Sequence, residues 1–130
     1  MGERSLKVLT DTHTLVWALS DPDSLGAAGR AALGASPFTA SVANLWELVL
    51  KASKAGALVA DPLPWWEKYV TRTGIPALAI RTAHIRALAA LPELHRDPFD
   101  RILVAQALAE GFALVSKDSA LSRYGVSVIW

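Results

Sequence analysis

Cysteine is absent from this chain of 130 residues, which excludes disulfide bonds and metal sites built on thiolates. The absence fits a reducing cytoplasm, and we expect the protein to be cytoplasmic. No apolar run approaches the roughly 18–20 residues that a membrane span needs, so we expect no association with a membrane. The first residues also lack the apolar stretch that is typical of a signal peptide.

Net charge is low as well, at +1 with neutral histidines. The overall electric field of the protein therefore does not attract nucleic acid, and any such binding must depend on locally placed Arg and Lys side chains. Apolar residues make up 52% of the chain, which excludes a disordered protein. This length suits one hydrophobic core, so we expect a single domain over residues 1–130.

The chain does contain short apolar strands that alternate with helices. Strands are predicted at 5–10, 37–41, 76–80, 112–118 and 126–130. Helices are predicted at 12–20, 42–56, 61–74, 82–92 and 97–111, with a further helix capped by Ser24 within 21–36. This alternation is typical of a three-layer α/β domain with a mainly parallel sheet, which binds ligands at the carboxyl ends of its strands.

Four of the twelve acidic residues have positions that suggest a shared site. Asp11 and Asp118 each follow a predicted strand, so we expect both at one edge of the sheet. Glu47 lies in an apolar helix that begins at this edge, whereas the pattern does not place the helix start that carries Asp100. Carboxylates that gather without a counter-charge repel one another, and oxygen ligands of this kind favour Mg²⁺ over zinc.

Each of these acids also has a structural alternative. Asp11 and Asp118 could cap the helical segments that follow them. Asp97 is followed by proline, which is typical of a helix N-cap, and Asp100 would then occupy the capping-box position. Glu47 could pair with the lysine four residues later. The residue pattern alone leaves these alternatives open.

Four segments of the chain together resemble the PIN-domain family. They are "LTDTHTLVWAL", "TASVANLWELVLKASKAGAL", "HRDPFDRILVAQALAEG" and "ALVSKD", and they are most similar to the VapC-like toxins of type II toxin–antitoxin systems. The resemblance implies a central five-stranded parallel sheet flanked by helices. It also implies a ribonuclease that depends on Mg²⁺ or Mn²⁺, with one or two ions at the site.

The resemblance implies roles for particular residues. Asp11, Glu47, Asp100 and Asp118 match the four acids of the family's site, as catalytic residues and metal ligands, with Glu47 either binding metal or orienting the attacking water. We therefore expect Glu47 to be tolerated because it faces the cation site and not because a lysine neutralises it. Residues assigned to support or substrate contact are Asp97, Ser116, Thr12, Asn44, Arg101 and His13.

The same resemblance implies binding partners. These are an RNA substrate, a cognate antitoxin protein and a second copy of the chain in a homodimer. A catalytically silent PIN-like module that binds RNA or protein is the alternative function, and the complete set of four acids argues against it. Phosphoryl transfer on Asp11 is disfavoured because "DTH" lacks the second acid of such sites.

Overall fold

The structure is a computed structural model that describes residues 7–35 and 37–130, so residues 5–6 of the first predicted strand and Ser36 lie outside it. The strands are β1 (Val8–Thr10), β2 (Ala40–Ser41), β3 (Ala77–Leu78), β4 (Ala113–Val115) and β5 (Val128–Ile129). The helices are α1 (Thr12–Ser20), α2 (Ala27–Ala35), α3 (Val42–Lys51), α4 (Pro62–Trp66), α5 (Thr82–Ala90) and α6 (Pro98–Glu110). None of the helices in the described ranges is long and apolar enough to cross a membrane.

All the pairings between these strands are parallel. β1 pairs with β4 in the register Thr10 to Val115, and β4 pairs with β5 in the register Val115 to Ile129. β2 pairs with β3, and a parallel bridge between Leu9 and Thr39 joins that pair to β1. The structure thus has a three-stranded sheet, β1-β4-β5, and a two-stranded sheet, β2-β3, which the bridge joins into one layer in the order β3-β2-β1-β4-β5. The predicted α/β fold with a parallel sheet is confirmed.

The sheet is the middle layer of three, because alternate strand residues face opposite sides. Leu9 and Leu114 pack on one side in a buried cluster with Leu103 of α6. Val8 packs on the other side, in a cluster that includes Leu33 of α2. Both faces of the strands are buried in this way, and the predicted three-layer arrangement is confirmed.

Side-chain caps determine where several helices begin. Asp11 caps α1, Ser41 caps α3 in a capping box with Asn44, and Asp97 caps α6. Gly111 ends α6 with a φ of 74°, a left-handed conformation that favours glycine. The starts of these helices thus agree with the sequence patterns that predicted them.

The predicted cap at Ser24 is wrong. Ser24 lies in a short 3₁₀ helix, Pro22–Ser24, and its hydroxyl donates a hydrogen bond of 2.6 Å to Asp21 Oδ2. Leu25 is extended, with φ −75° and ψ 146°, so α2 begins only at Ala27. The helix predicted at 42–56 is also shorter, since α3 ends at Lys51. The helix predicted from 61 is α4, which continues as a π-helical turn, Glu67–Thr71.

Candidate metal centre

The carboxyl ends of β1 and β4 lie side by side where the order of the strands reverses. The chain runs from β1 to β2 and β3 on one side of the sheet and then returns to β4 on the other side. Asp11 directly follows β1, and Ser116 directly follows β4. Ser116 Oγ donates a hydrogen bond of 2.6 Å to Asp11 Oδ2, while Asp11 Oδ1 accepts one of 2.9 Å from the Thr14 backbone N–H. Asp11 is thus held at the switch point, where open α/β sheets bind ligands.

Asp118 is held at the same edge by the same hydroxyl. Its backbone N–H donates a hydrogen bond of 3.1 Å to Ser116 Oγ. Asp118 Oδ1 accepts a hydrogen bond of 3.1 Å from the Ala120 backbone N–H and caps the 3₁₀ helix Ser119–Tyr124. The capping roles considered for Asp11 and Asp118 are confirmed. They do not exclude a role in a site, since each carboxylate keeps free lone pairs.

The N-terminus of α6 returns to this edge because α6 leads into β4 through the short turn at Gly111, so the helix runs opposite to the strands. Asp97 Oδ1 accepts hydrogen bonds from the backbone N–H groups of Phe99, at 2.8 Å, and Asp100, at 3.3 Å. The backbone N–H of Asp97 donates to His95 Nδ1 at 3.1 Å. The capping-box alternative for Asp100 is therefore wrong, and its carboxylate remains available to the site.

Glu47 is buried in α3, with 6% of its surface exposed. Thr12 Oγ1 donates a hydrogen bond to Glu47 Oε1, and Thr12 itself accepts one of 3.2 Å from Asn44 Nδ2. Lys51 Nζ lies 2.6 Å from Glu47 Oε2, and this hydrogen bond raises the pKa of Lys51. The expectation that Lys51 does not neutralise Glu47 is therefore wrong. A buried carboxylate needs a close charge partner to offset its lost hydration, and Lys51 supplies one.

One cleft of about 360 Å³ brings the predicted acids together. Its walls come from the ends of β1 and β4 and from the starts of α1 and α6, with side chains of α3 on one side. The residues that line it are Asp11, Thr12, His13, Trp17, Glu47, Lys51, Asp97, Asp100, Lys117 and Asp118. The cleft thus contains the four acids that the family resemblance assigned to one site, including Asp100, which the residue pattern alone did not place at this edge.

The carboxylates of the cleft carry more negative charge than its two lysines balance. Burial raises the pKa of Asp100 to about 7, and the charges of Asp97, Asp11 and Glu47 act in the same direction. A divalent cation with a preference for oxygen ligands relieves such repulsion, and Mg²⁺ needs only a few carboxylates because it keeps several waters. The donor set therefore fits Mg²⁺ or Mn²⁺.

Comparison with known sequences identifies the family. The family model for the PIN domain matches residues 8–126. This chain belongs to the PIN domain family. A similar protein is ribonuclease VapC22 of Mycobacterium tuberculosis, which is 32% identical over 123 residues that cover 90% of this chain and 91% of that protein.

Solved structures of similar fold come from other bacteria. DNA-bound VapBC from Salmonella typhimurium gives a TM-score of 0.70 at 22% identity, covering 95% of this PIN domain and 96% of that chain. A toxin–antitoxin complex from Klebsiella pneumoniae gives 0.62 at 18% identity, covering 95% and 97%. At these identities the likeness concerns the fold.

Two candidate substrate contacts of this PIN domain lie in different surroundings. His13 is exposed on the wall of the cleft, where its ring packs against Trp17 at a centroid distance of 5.4 Å. Arg101 instead directs its Nη2 toward the Leu91 carbonyl at 3.5 Å, and it lines a neighbouring surface pocket with Arg96. The structure thus brings His13 to the acids and places Arg101 away from them.

His95 contacts two of the acids, and the sequence did not predict it as a site residue. Its Nε2 lies 3.0 Å from Asp118 Oδ2 and 3.7 Å from Asp100 Oδ2. These three residues can bring one ligand atom each within 4.8 Å of one another. The three histidines of the chain have no paired metal-binding spacing, so spacing gave no reason to select His95. Its position two residues before Asp97, the cap of α6, was the available signal.

Proposed function

We propose that this PIN domain is the ribonuclease toxin of a toxin–antitoxin pair, and that it hydrolyses RNA phosphodiester bonds internally with Mg²⁺ or Mn²⁺. The observation that carries the proposal is the convergence of Asp11, Glu47, Asp100 and Asp118 on one cleft at the switch point of the sheet. The likeness to ribonuclease VapC22 supports the same activity. The proposal includes one or two bound ions.

Asp11, Asp100 and Asp118 would hold the cation, because their carboxylates line the cleft from three different segments. Glu47 is a further ligand or orients the attacking water, and its hydrogen bond from Thr12 fixes one of its oxygens. When bound, a divalent cation acidifies water and stabilises the negative charge that builds on the phosphate.

The supporting side chains set the orientation of the acids. Ser116 Oγ is fully buried, and it contacts both the Asp11 carboxylate and the Asp118 backbone. Asn44 is also fully buried and holds Thr12 by a hydrogen bond, which in turn orients Glu47. Carboxylates that are already held in place need little reorganisation when they bind a cation. This favours a catalytic function over that of a silent binding module.

Lysines of the cleft are suited to the RNA backbone. Lys117 lies between Ser116 and Asp118, is exposed and lines the cleft. An exposed ammonium beside the acids can contact a phosphate next to the one that is cut. Lys51 is less available for this role because it is paired with Glu47.

We further propose an antitoxin and a second copy of the chain as protein partners. The outward face of α3 supports protein binding, since Trp46 is 53% exposed and Leu50 is 57% exposed. Val42 and Val49 of the same helix are exposed as well, so the apolar side chains are adjacent rather than scattered. The toxin–antitoxin complex from Klebsiella pneumoniae has a similar fold, which agrees with the proposal.

Cleavage of a mixed RNA pool by the purified protein tests the proposal. We expect cleavage with Mg²⁺ or Mn²⁺, loss of cleavage with EDTA, and loss in Asp11→Asn that retains the wild-type circular dichroism spectrum. Asp61→Asn is the matched control, because Asp61 is exposed and makes no capping hydrogen bond. RNA binding without cleavage under every metal would instead identify a silent binding module.

A further inference from the structure

His95 has two ring nitrogens with different surroundings. Nδ1 lies 3.1 Å from the backbone nitrogen of Asp97, and Nε2 lies 3.0 Å from Asp118 Oδ2. The imidazole therefore bridges the cap of α6 and the acid that follows β4. About a quarter of the His95 side chain is exposed, at 26%.

The backbone N–H of Asp97 decides which nitrogen carries the proton. A backbone amide only donates, so Nδ1 must accept and cannot carry a hydrogen. A neutral imidazole carries one hydrogen, which must then be on Nε2. Nε2–H consequently donates to the Asp118 carboxylate, which only accepts when ionised.

This tautomer conflicts with direct metal binding by His95. A metal ligand needs a free lone pair on Nε2, and the proton would then move to Nδ1, where it would face the Asp97 N–H. The proximity of His95, Asp100 and Asp118 alone would have suggested a three-residue ligand set. The direction of the hydrogen bond at Asp97 argues against that set.

We propose that His95 is a positioning residue that fixes Asp118 for cation binding by donating Nε2–H to Oδ2, and that it is not itself a metal ligand. The role of Asp118 as a ligand rests on the function proposed above. Asp118 is then held at both oxygens, by His95 at Oδ2 and by the Ala120 N–H at Oδ1. Outer contacts of this kind commonly change metal affinity about 10- to 100-fold when they are removed.

Nitrogen NMR of the metal-free protein tests the tautomer independently of any activity. The chain has three histidines, so ¹⁵N labelling of the rings gives few signals. We expect His95 to carry its proton on Nε2, because the Asp97 N–H donates to Nδ1. His84 is an internal reference, because its Nδ1 also accepts from a backbone N–H, that of Arg81 at 3.0 Å. A proton on Nδ1 of His95 would overturn the proposal.

Three substitutions separate the two nitrogens. Gln places an amide N–H near the position of Nε2, Asn keeps only an acceptor near Nδ1, and Ala keeps neither. With Mn²⁺ affinity measured by calorimetry, we expect His95→Gln to stay within about 3-fold of wild type. We expect His95→Asn and His95→Ala to lose about 10- to 100-fold.

Other outcomes identify other roles for His95. Equal losses in all three variants, with ¹⁴N coupling to bound Mn²⁺ in the electron spin echo spectrum of wild type, would identify His95 as a ligand and overturn the proposal. Rescue by Asn but not by Gln would reduce His95 to a support for the Asp97 backbone and would equally overturn it. Absence of Mn²⁺ binding by wild type would count against the proposed function, while the NMR result would still decide the tautomer.

Discussion

Replacing Asp100 by Asn should stabilise the metal-free protein while removing its response to metal. Burial, together with the charges of Asp97, Asp11 and Glu47, raises the pKa of Asp100 from 3.8 to about 7. Above that pH the ionised carboxylate is held among other negative charges, which costs free energy in the folded state. Asn keeps the size of the side chain and removes the charge.

The size of the effect follows from the pKa change. Without solvent screening, a pKa change from 3.8 to about 7 corresponds to about 4 kcal/mol of folding free energy. The Asp100 side chain is 22% exposed, and solvent screening together with the buried amide of Asn reduces the expected gain to about 1–2 kcal/mol. In a chain of this length that gain raises the melting temperature by roughly 3–8 °C.

The dependence on pH has a definite sign. Because the pKa is higher in the folded than in the unfolded chain, the folded state binds more protons between pH 3.8 and about 7. The free energy of unfolding therefore falls as pH rises through this window and has lost the full contribution of Asp100 above it. The Asn variant should lack this part of the slope.

Thermal denaturation followed by circular dichroism, with EDTA or with Mg²⁺, measures both effects. At about pH 8 with EDTA we expect Asp100→Asn to melt above wild type, and with Mg²⁺ we expect only wild type to gain stability. Asp61→Asn should behave like wild type in both conditions, since Asp61 is exposed. A metal-free Asn variant that melts below wild type at this pH would show that repulsion between Asp100 and its neighbouring carboxylates does not destabilise the fold.

Two further perturbations test the packing around the site. Lys51→Met leaves Glu47 buried without its positively charged partner. The free energy of unfolding of the metal-free protein, measured by urea denaturation, should fall by about 1–3 kcal/mol, and Mg²⁺ should restore a part of it. An unchanged denaturation midpoint would contradict the pairing of Lys51 with Glu47. Gly111→Ala should lower the free energy of unfolding by about 1 kcal/mol, because φ is 74° at this position. Gly34→Ala should raise it by about 0.5–1 kcal/mol, because Gly34 lies in α2 with open space around it. A change of the same sign in both variants would contradict these backbone assignments.

Local sequence patterns predicted the parts of the fold that local physics controls. Asp97 before a proline predicted the start of α6, because the hydrogen bonds of such a cap lie within three residues. Ser41 caps α3 with Asn44 over the same short range. Ser24 has the same residue chemistry, but its hydroxyl bonds to Asp21 instead. Residue type alone does not decide whether a serine hydroxyl bonds to a neighbouring side chain or caps the following helix.

The candidate site depends on longer-range geometry. Asp11 and Asp118 could be placed at one edge because both follow strands of a parallel sheet. The sequence could not assign the start of α6 to that edge of the sheet, because the position of this helix depends on its short connection to β4. His95 reaches Asp118 from a segment that is neither helix nor strand. Its position two residues before the cap of α6 places it near the site, but it does not indicate this contact.

Anomalous X-ray diffraction from crystals grown with Mn²⁺ locates the cation itself, so it tests directly whether the acids of the cleft bind a metal. We expect a manganese peak in the cleft, bonded to carboxylate oxygens of Asp11, Asp100 and Asp118, and we expect the peak to be lost in Asp100→Asn crystals. A cleft without anomalous density at saturating Mn²⁺, in protein that still cleaves RNA, would contradict the claim that these carboxylates hold the catalytic metal.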